Sequence, residues 1–139
     1  MIILDTNVLS EPARPRPSEA VIGWLNAQAR ADVFTTAVTE AEILLRVELM
    51  PAGRRRNTLT EQVRRTFDED FHGRVLPFDS VAARAYATLV ASRQKAGKPL
   101  QDADAQIAAI ALSRGASVAT RNVGHFSGCG LDIINPWTA

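Results

Sequence analysis

Short apolar runs alternate along this chain with longer stretches in which apolar and polar residues mix. The short runs have the length of buried strands, and they occupy residues 1–4, 33–36, 74–78, 117–120 and 131–134. The longer stretches carry apolar residues at helical spacing and predict helices over about residues 18–25, 39–50, 54–71, 79–96 and 102–115. Strands that alternate with helices predict an α/β fold with a central, mainly parallel sheet of about five short strands and helices on both faces.

Turn-forming residues mark the ends of these elements. Ser18 is placed to cap the first helix, and either Asp79 or Ser80 is placed to cap the fourth. Gly115 is expected to end the last helix. The segment EPARPRP at residues 11–17 contains three prolines and predicts a loop.

Composition narrows the class of protein. The 139 residues suit a single domain over residues 1–139, and a net charge of +1 gives no ground for nucleic-acid binding. Cys129 is the only cysteine, which excludes an internal disulfide and fits a reducing compartment. Because there is neither a secretory signal pattern nor a membrane-spanning apolar run, we expect a soluble, cytoplasmic protein without membrane contact. Arg54, Arg55 and Arg56 form a run that is either a solvated helix start or a phosphate-binding cluster.

Carboxylates occupy positions at which the pattern predicts apolar residues. Asp5 directly follows the first buried strand, and Asn122 lies just past the fourth. Both therefore lie at the carboxyl edge, where sites form in parallel sheets. Asp104 heads the apolar stripe of the last helix and faces the sheet, whereas Asp102 is placed to cap that helix.

The helix TEAEILLRVELM adds one further carboxylate. Glu40 and Glu42 both lie on apolar lines of this helix, which is apolar nearly all round, so periodicity cannot choose between them. One of the two converges with Asp5 and Asp104 from three separate elements. Converging carboxylates repel one another and lose hydration unless a cation lies among them. Oxygen ligands favour Mg²⁺ or Mn²⁺, and such a site suits phosphodiester hydrolysis by a metal-activated water.

Other chemistries have less support. His72 and His125 are far apart and lack a neighbour at ligand spacing, so each is interpreted as a surface or loop residue. The chain contains no glycine-rich nucleotide loop and no nucleophile elbow.

Four motifs occur in order along the chain: ILDTNVLSE, TEAEI, DADAQIAAIAL and ATRNVGHF, with RVLPFD and NPW as accompanying segments. Together they resemble the PIN-domain ribonucleases, and in particular the toxin subunits of VapBC-type toxin–antitoxin pairs in the FitB-like branch. The resemblance covers essentially the whole chain. It implies a PIN-like three-layer α/β/α fold and a Mg²⁺- or Mn²⁺-dependent endoribonuclease that is the toxin of a type II pair.

The acidic positions of that family fall on Asp5, Glu42 and Asp104, so the resemblance implies that these residues hold the metal and carry catalysis. It selects Glu42 over Glu40. The fourth acid, usually an aspartate in a T-R-D or T-x-D pattern, falls on Asn122. An amide oxygen accepts from water or ligates Mg²⁺ weakly but carries no charge. Two interpretations follow: a working site with Asn122 as an auxiliary catalytic residue, or a catalytically weakened PIN module that acts mainly as a partner of an antitoxin and DNA-binding repressor.

The resemblance also implies partners. It predicts a homodimer and a small VapB- or FitA-like antitoxin that inhibits the site, with operator DNA contacted only through the antitoxin. Thr6 and Asn7 are expected to brace the site. The basic residues at 54–56, together with Arg14 and Arg16, are candidates for contact with RNA or with the antitoxin.

A phosphatase with Asp5 as its nucleophile is a further alternative. Haloacid-dehalogenase-like enzymes of that kind need a second aspartate two positions later as the acid and base. Asn7 occupies that position, which counts against this alternative.

Overall fold

The central sheet consists of five short parallel strands. The computed structural model describes residues 1–139, and its strands are β1 (Ile2–Leu4), β2 (Val33–Thr36), β3 (Val75–Leu76), β4 (Ser117–Ala119) and β5 (Ile133–Ile134). Their order is β3-β2-β1-β4-β5, and every neighbouring pair is parallel. The predicted parallel sheet of about five strands is confirmed, and β1 is its central strand.

Seven α-helices connect the strands: α1 (Thr6–Ser10), α2 (Glu19–Ala27), α3 (Ala37–Glu48), α4 (Arg54–Arg65), α5 (Ser80–Lys95), α6 (Asp102–Arg114) and α7 (Val123–Phe126). The pattern predicts five of them. It misses α1 and α7, which have five and four residues and are too short to show helical periodicity. None of the helices combines the length and apolar composition needed to cross a membrane.

Both faces of the sheet are buried. Ile3 and Val118 face a larger core beneath α5 and α6, whereas Leu4 and Ala119 face a smaller core beneath α1 and α2. Successive residues of a strand point to opposite faces, so each short strand contributes to both cores. The result is the expected three-layer α/β/α arrangement.

Two predicted caps form as expected. The side-chain oxygen of Ser18 accepts from the Val21 N–H at 3.4 Å, and Asp79 Oδ1 accepts from the Ala82 N–H at 2.9 Å. Each bond satisfies a backbone donor that the first helical turn leaves unpaired.

One predicted helix start and one predicted cap are wrong. Helix α3 begins at Ala37 rather than at the predicted residue 39. Thr36 is its cap, because Thr36 Oγ1 accepts from the Thr39 N–H at 3.1 Å. Asp102 is the first residue of α6 and not its cap, since Gln101 holds the cap position without a side-chain bond. The charge of Asp102 nevertheless lies in the first turn, where the helix dipole favours an anion.

Other predicted elements end early or contain extra turns. The predicted helix over 54–71 is α4 followed by a π-helical turn at Thr66–Asp70, and the predicted loop at 11–17 begins with a 3₁₀ turn at Glu11–Ala13. Strand β3 has only two residues, because Pro77 follows it and lacks the N–H that would continue the ladder.

Two glycines provide a matched test of backbone conformation. Gly115 caps α6 with φ 63°, Gly23 lies within α2, and a Cβ at either would meet no atom within 4 Å. We expect Gly115→Ala to lower the free energy of unfolding by about 1 kcal/mol through left-handed strain. Gly23→Ala should raise it by about 0.5–1 kcal/mol. Urea denaturation measures both, and a neutral Gly115→Ala would contradict the left-handed cap.

Candidate active site

Asp5 lies at the carboxyl end of β1, and only 5% of its surface is exposed. Its Oδ1 accepts from the Thr6 N–H at 2.8 Å, and its Oδ2 accepts from the Thr120 hydroxyl at 2.7 Å. Asn7 Nδ2 donates to the same Oδ2 at 3.3 Å. Because Thr120 directly follows β4, the Asp5 carboxylate ties together the ends of two neighbouring strands.

A row of threonines connects this carboxylate to α3. Thr6 Oγ1 lies 3.3 Å from Glu42 Oε1 and 3.2 Å from Thr39 Oγ1, and Thr36 Oγ1 lies 3.5 Å from Thr39 Oγ1. A carboxylate only accepts hydrogen bonds, so the one proton of the Thr6 hydroxyl serves Glu42. Thr39 can then donate to Thr6 and Thr36 to Thr39. The row can form a directed chain of hydroxyls that ends on Glu42. The sequence indicated Thr6 as a residue that braces the site, but not Thr36 or Thr39.

Of the two glutamates on α3, Glu42 is the one that the fold places near Asp5 and the threonine row. Burial raises the pKa of Glu42 above its ordinary value, and the neighbouring Asp5 raises it further. The hydrogen bond from Thr6 and the charge of Arg46 act in the opposite direction, and Asp104 adds a smaller rise. Glu40 makes no hydrogen bond to any member of the group.

Asp104 reaches the same edge from the first turn of α6. Burial raises the pKa of Asp104, the charge of Asp5 raises it further, and His125 acts to lower it. His125 Nδ1 lies 3.1 Å from Asp104 Oδ2, so a proton on Nδ1 is donated to the carboxylate. His125 is a surface residue, as expected, with its side chain 51% exposed, but its contact with Asp104 was not indicated by the sequence. The contact joins α6 to α7, a helix that the sequence pattern did not predict.

Asn122 lies beside the acidic group without joining it by side-chain hydrogen bonds. Its backbone N–H donates to Thr120 Oγ1 at 3.0 Å, and its side chain is exposed. Thr120 thus accepts from Asn122 while it donates to Asp5. In this arrangement the backbone of Asn122 orients the threonine that holds Asp5.

The arginine run at residues 54–56 makes no hydrogen bond to the three acids. Arg56 pairs with Glu48 on α3 at 3.0 Å, and Arg54 and Arg55 are exposed at the start of α4. The fold therefore leaves two of the three guanidinium groups facing solvent.

Asp5, Glu42 and Asp104 form a group of hard oxygen donors whose charges oppose one another. Burial and repulsion both disfavour the ionised forms of Glu42 and Asp104, and a divalent cation among the three would offset both costs. As the side chains stand, no three His, Cys, Asp or Glu residues form a ready set of metal ligands. The donor chemistry fits Mg²⁺ or Mn²⁺, and shared ligation requires the carboxylates to draw together.

One cavity borders the acidic group, and a second hollow lies between α3 and α4. A cavity of about 220 Å³ opens beside Asp104 and His125 and is bounded by Gln101 and Gly124. A second hollow, the α3–α4 groove, has about 210 Å³ and is mostly apolar. Its walls are Leu9, Ser10, Ala13, Ile43, Arg46, Val47, Leu59, Gln62, Val63, Thr66 and Phe67. Arg46 lies on this groove, one helical turn from Glu42, and its charge acts to lower the pKa of Glu42.

Comparison with known proteins agrees with this geometry. The PIN-domain family model matches residues 2–127. The chain is 44% identical over 137 residues to the VapC ribonuclease Y4jK of Sinorhizobium fredii, covering 99% of this chain and 98% of the relative. It is 42% identical over 137 residues to toxin FitB of Neisseria gonorrhoeae, with 99% of each chain covered.

Solved structures give the same result. The crystal structure of FitAcB from Neisseria gonorrhoeae matches with a TM-score of 0.94 at 41% identity, covering 100% of both chains. The structure of FitAB bound to an IR36 DNA fragment matches with a TM-score of 0.93 at 42% identity, covering 99% of this chain and 96% of the other. The expected resemblance to the VapC and FitB toxins is confirmed, and the chain belongs to the PIN-domain family.

Proposed function

We propose that this protein is the toxin of a type II toxin–antitoxin pair and that it hydrolyses RNA phosphodiester bonds as a metal-dependent endoribonuclease. The observation that carries the proposal is the meeting of Asp5, Glu42 and Asp104 at the carboxyl edge of a PIN-type sheet. Its relatives include a protein named as a VapC ribonuclease and another named as toxin FitB. Three carboxylates that destabilise one another are more simply explained as cation ligands than as structural groups.

The three carboxylates would hold Mg²⁺ or Mn²⁺, which when bound lowers the pKa of a water and neutralises charge on the phosphate. The surrounding side chains hold these ligands in place. Thr6, Asn7 and Thr120 fix Asp5, the threonine row fixes Glu42, and His125 fixes Asp104. Such outer contacts limit the movement of ligand oxygens and so favour binding.

A small antitoxin is the proposed partner, and the α3–α4 groove is its proposed binding site. The relative FitB was solved in FitAB, a complex bound to DNA. The groove offers an apolar surface that begins one turn from Glu42, so a segment bound in it would reach the acidic group. Operator DNA is assigned to the antitoxin, and Arg54 and Arg55 are free to contact the antitoxin or RNA.

A homodimer is also proposed. Leu44 and Leu45 of α3 and the residue that caps its C-terminus, Leu49, are 46%, 58% and 76% exposed, an unusual number of large apolar side chains for one end of a surface helix. A second copy that packs on this face would remove them from water.

The catalytically weakened alternative has one observation in its favour. The side chain at the fourth acidic position, Asn122, is neutral, exposed and not hydrogen-bonded to the three acids. Purified protein that cleaves no RNA with Mg²⁺ or Mn²⁺ would favour this alternative over the proposed nuclease.

The proposed ligand roles predict that substitutions of Asp5 and Asp104 abolish activity, whereas substitution of the nearby Asp102 does not. We expect Asp5→Asn and Asp104→Asn to abolish Mn²⁺-dependent cleavage of total RNA and growth arrest, because loss of a ligand exceeds the roughly 10- to 100-fold effect of an outer contact. Asp102→Asn, an exposed position two residues from Asp104, should leave both unchanged. A fully toxic Asp5→Asn protein would rule out this assignment of the site.

The raised pKa of Glu42 predicts a pH-dependent cost in the metal-free protein. The folded protein holds that proton more tightly than the unfolded chain, so stability falls as pH rises from about 4.5 through the raised pKa. Glu42→Gln removes this loss, and the variant should have the higher Tm above that window, whereas Glu40→Gln should follow the unmodified protein. Thermal unfolding in EDTA across pH 4–8 measures the effect. Parallel curves for Glu42→Gln and the unmodified protein would contradict it.

The contact between His125 and Asp104 predicts an effect on metal affinity. His125→Phe should weaken Mn²⁺ binding about tenfold in calorimetry, because Asp104 loses its side-chain donor. His125→Asn should restore part of the affinity, since its amide N–H can stand in for Nδ1–H. His72→Phe, at an exposed position, is the control. Equal affinities for the unmodified protein and the His125→Phe variant would show that the contact does not support the site.

A further inference from the structure

We propose that Arg121 binds an RNA phosphate at the rim of the active site and that the indole of Trp137 holds its guanidinium in place. This inference rests on the proposed function and deepens it, because it names a residue that recruits the substrate to the acids. It concerns binding and not the chemical step.

The need for such a residue follows from the charge at the edge of the sheet. Asp5, Glu42 and Asp104 concentrate negative charge where a polyanion must bind, and the net charge of +1 gives little general attraction. Approach of RNA is favourable only where cations next to the acids outweigh that repulsion. The arginines around the site therefore decide where the backbone of the substrate can pass.

Many of the arginines are already engaged within the protein. Those paired with carboxylates are Arg14, Arg30, Arg56, Arg64 and Arg114. The guanidinium groups of Arg74 and Arg93 donate to backbone carbonyls. Arg121 has no carboxylate within ion-pair distance, and its guanidinium carbon lies 5.0 Å from the centre of the Trp137 ring. Its charge is thus available to a ligand.

The backbone places Arg121 next to the acids. Its N–H donates to Asn7 Oδ1 at 3.1 Å, and Asn7 Nδ2 donates to Asp5 Oδ2 at 3.3 Å. One side chain therefore separates Arg121 from the most buried of the three acids. The residue before it, Thr120, is itself bonded to Asp5. Arg46 acts on Glu42 through its charge, but neither Arg46 nor Arg54 has a hydrogen-bonded link to the acids like that of Arg121.

Trp137 gives this guanidinium a fixed seat. The indole packs against the smaller core, and the backbone N–H of Trp137 donates to Asn135 Oδ1 at 3.0 Å. A cation over an indole face is attracted by the ring, and stacking leaves the N–H groups at the edge of the guanidinium directed outward. A planar fork of donors that is charged, exposed and held on one face matches the oxygens of a phosphate.

Salt dependence of binding tests the phosphate contact without relying on an identified RNA. The probe is a fluorescein-labelled oligouridine 12-mer, titrated with metal-free protein in EDTA from 50 to 300 mM NaCl. Arg121→Gln should weaken binding and reduce the slope of log K against log salt by about 0.7, the value for one phosphate on a single strand. Arg114→Gln is the control, because Arg114 lies about 15 Å along α6 from Asp104. Its slope should equal that of the unmodified protein.

The role of the Trp137 indole in holding Arg121 predicts a separate result. Trp137→Leu keeps the charge of Arg121 but removes the ring, so affinity should fall about two- to fivefold while the salt slope stays unchanged. Trp137→Phe retains an aromatic face and should recover part of that loss. Unfolding temperatures of all variants, measured in parallel, separate a binding defect from a folding defect.

Failure of this inference differs from failure of the proposed function. If the unmodified protein cleaves RNA with Mn²⁺ but Arg121→Gln keeps the full salt slope, the phosphate contact is wrong and the nuclease assignment stands. Weaker binding with an unchanged slope would also overturn it, because Arg121 would then act through a base or through packing. No binding of the oligonucleotide at 50 mM NaCl would contradict it as well. Absence of cleavage with any divalent metal bears on the nuclease alone.

Discussion

The carboxyl edge of the sheet depends on how the Asp5 carboxylate is held. A strand buried on both faces delivers it there, and the bonds from Thr6 and Thr120 fix its two oxygens at 2.8 and 2.7 Å. Thr120 follows β4, so the same carboxylate spans the two strands at the centre of the sheet. The apolar residues of β1 set the position, and the hydroxyl and amide donors set the orientation.

The fixed charge of Asp5 acts on the two carboxyl groups that lie beside it. Glu42 and Asp104 come from separate helices, and both have a raised pKa because burial and Asp5 oppose their ionised forms. The ionised carboxylates therefore lower the free energy of unfolding at this edge of the sheet. The hydrogen bonds from the threonine row and from His125 offset part of that loss. Such a balance is typical of a site whose ligands are prepared for a cation rather than for each other.

The sequence predicts the framework better than the contacts. Hydrophobic periodicity locates all five strands and five helices, because each directs apolar residues into the cores. It cannot choose between Glu40 and Glu42, since α3 is apolar nearly all round, and only the family resemblance selects Glu42. It misses His125 because the contact joins residues 21 positions apart through the four-residue α7. It wrongly makes Asp102 a cap, since a carboxylate near a helix start serves equally well in the first turn. The assignment of ligand roles to Asp5, Glu42 and Asp104 stays a prediction.

The most direct measurement is diffraction at the manganese absorption edge from crystals that contain Mn²⁺. If the three carboxylates are a ligand set, an anomalous peak must lie between them, with oxygens of Asp5, Glu42 and Asp104 drawn to a ligand distance of about 2.1 Å. Manganese found only elsewhere on the protein, with the carboxylates still apart, would contradict the account.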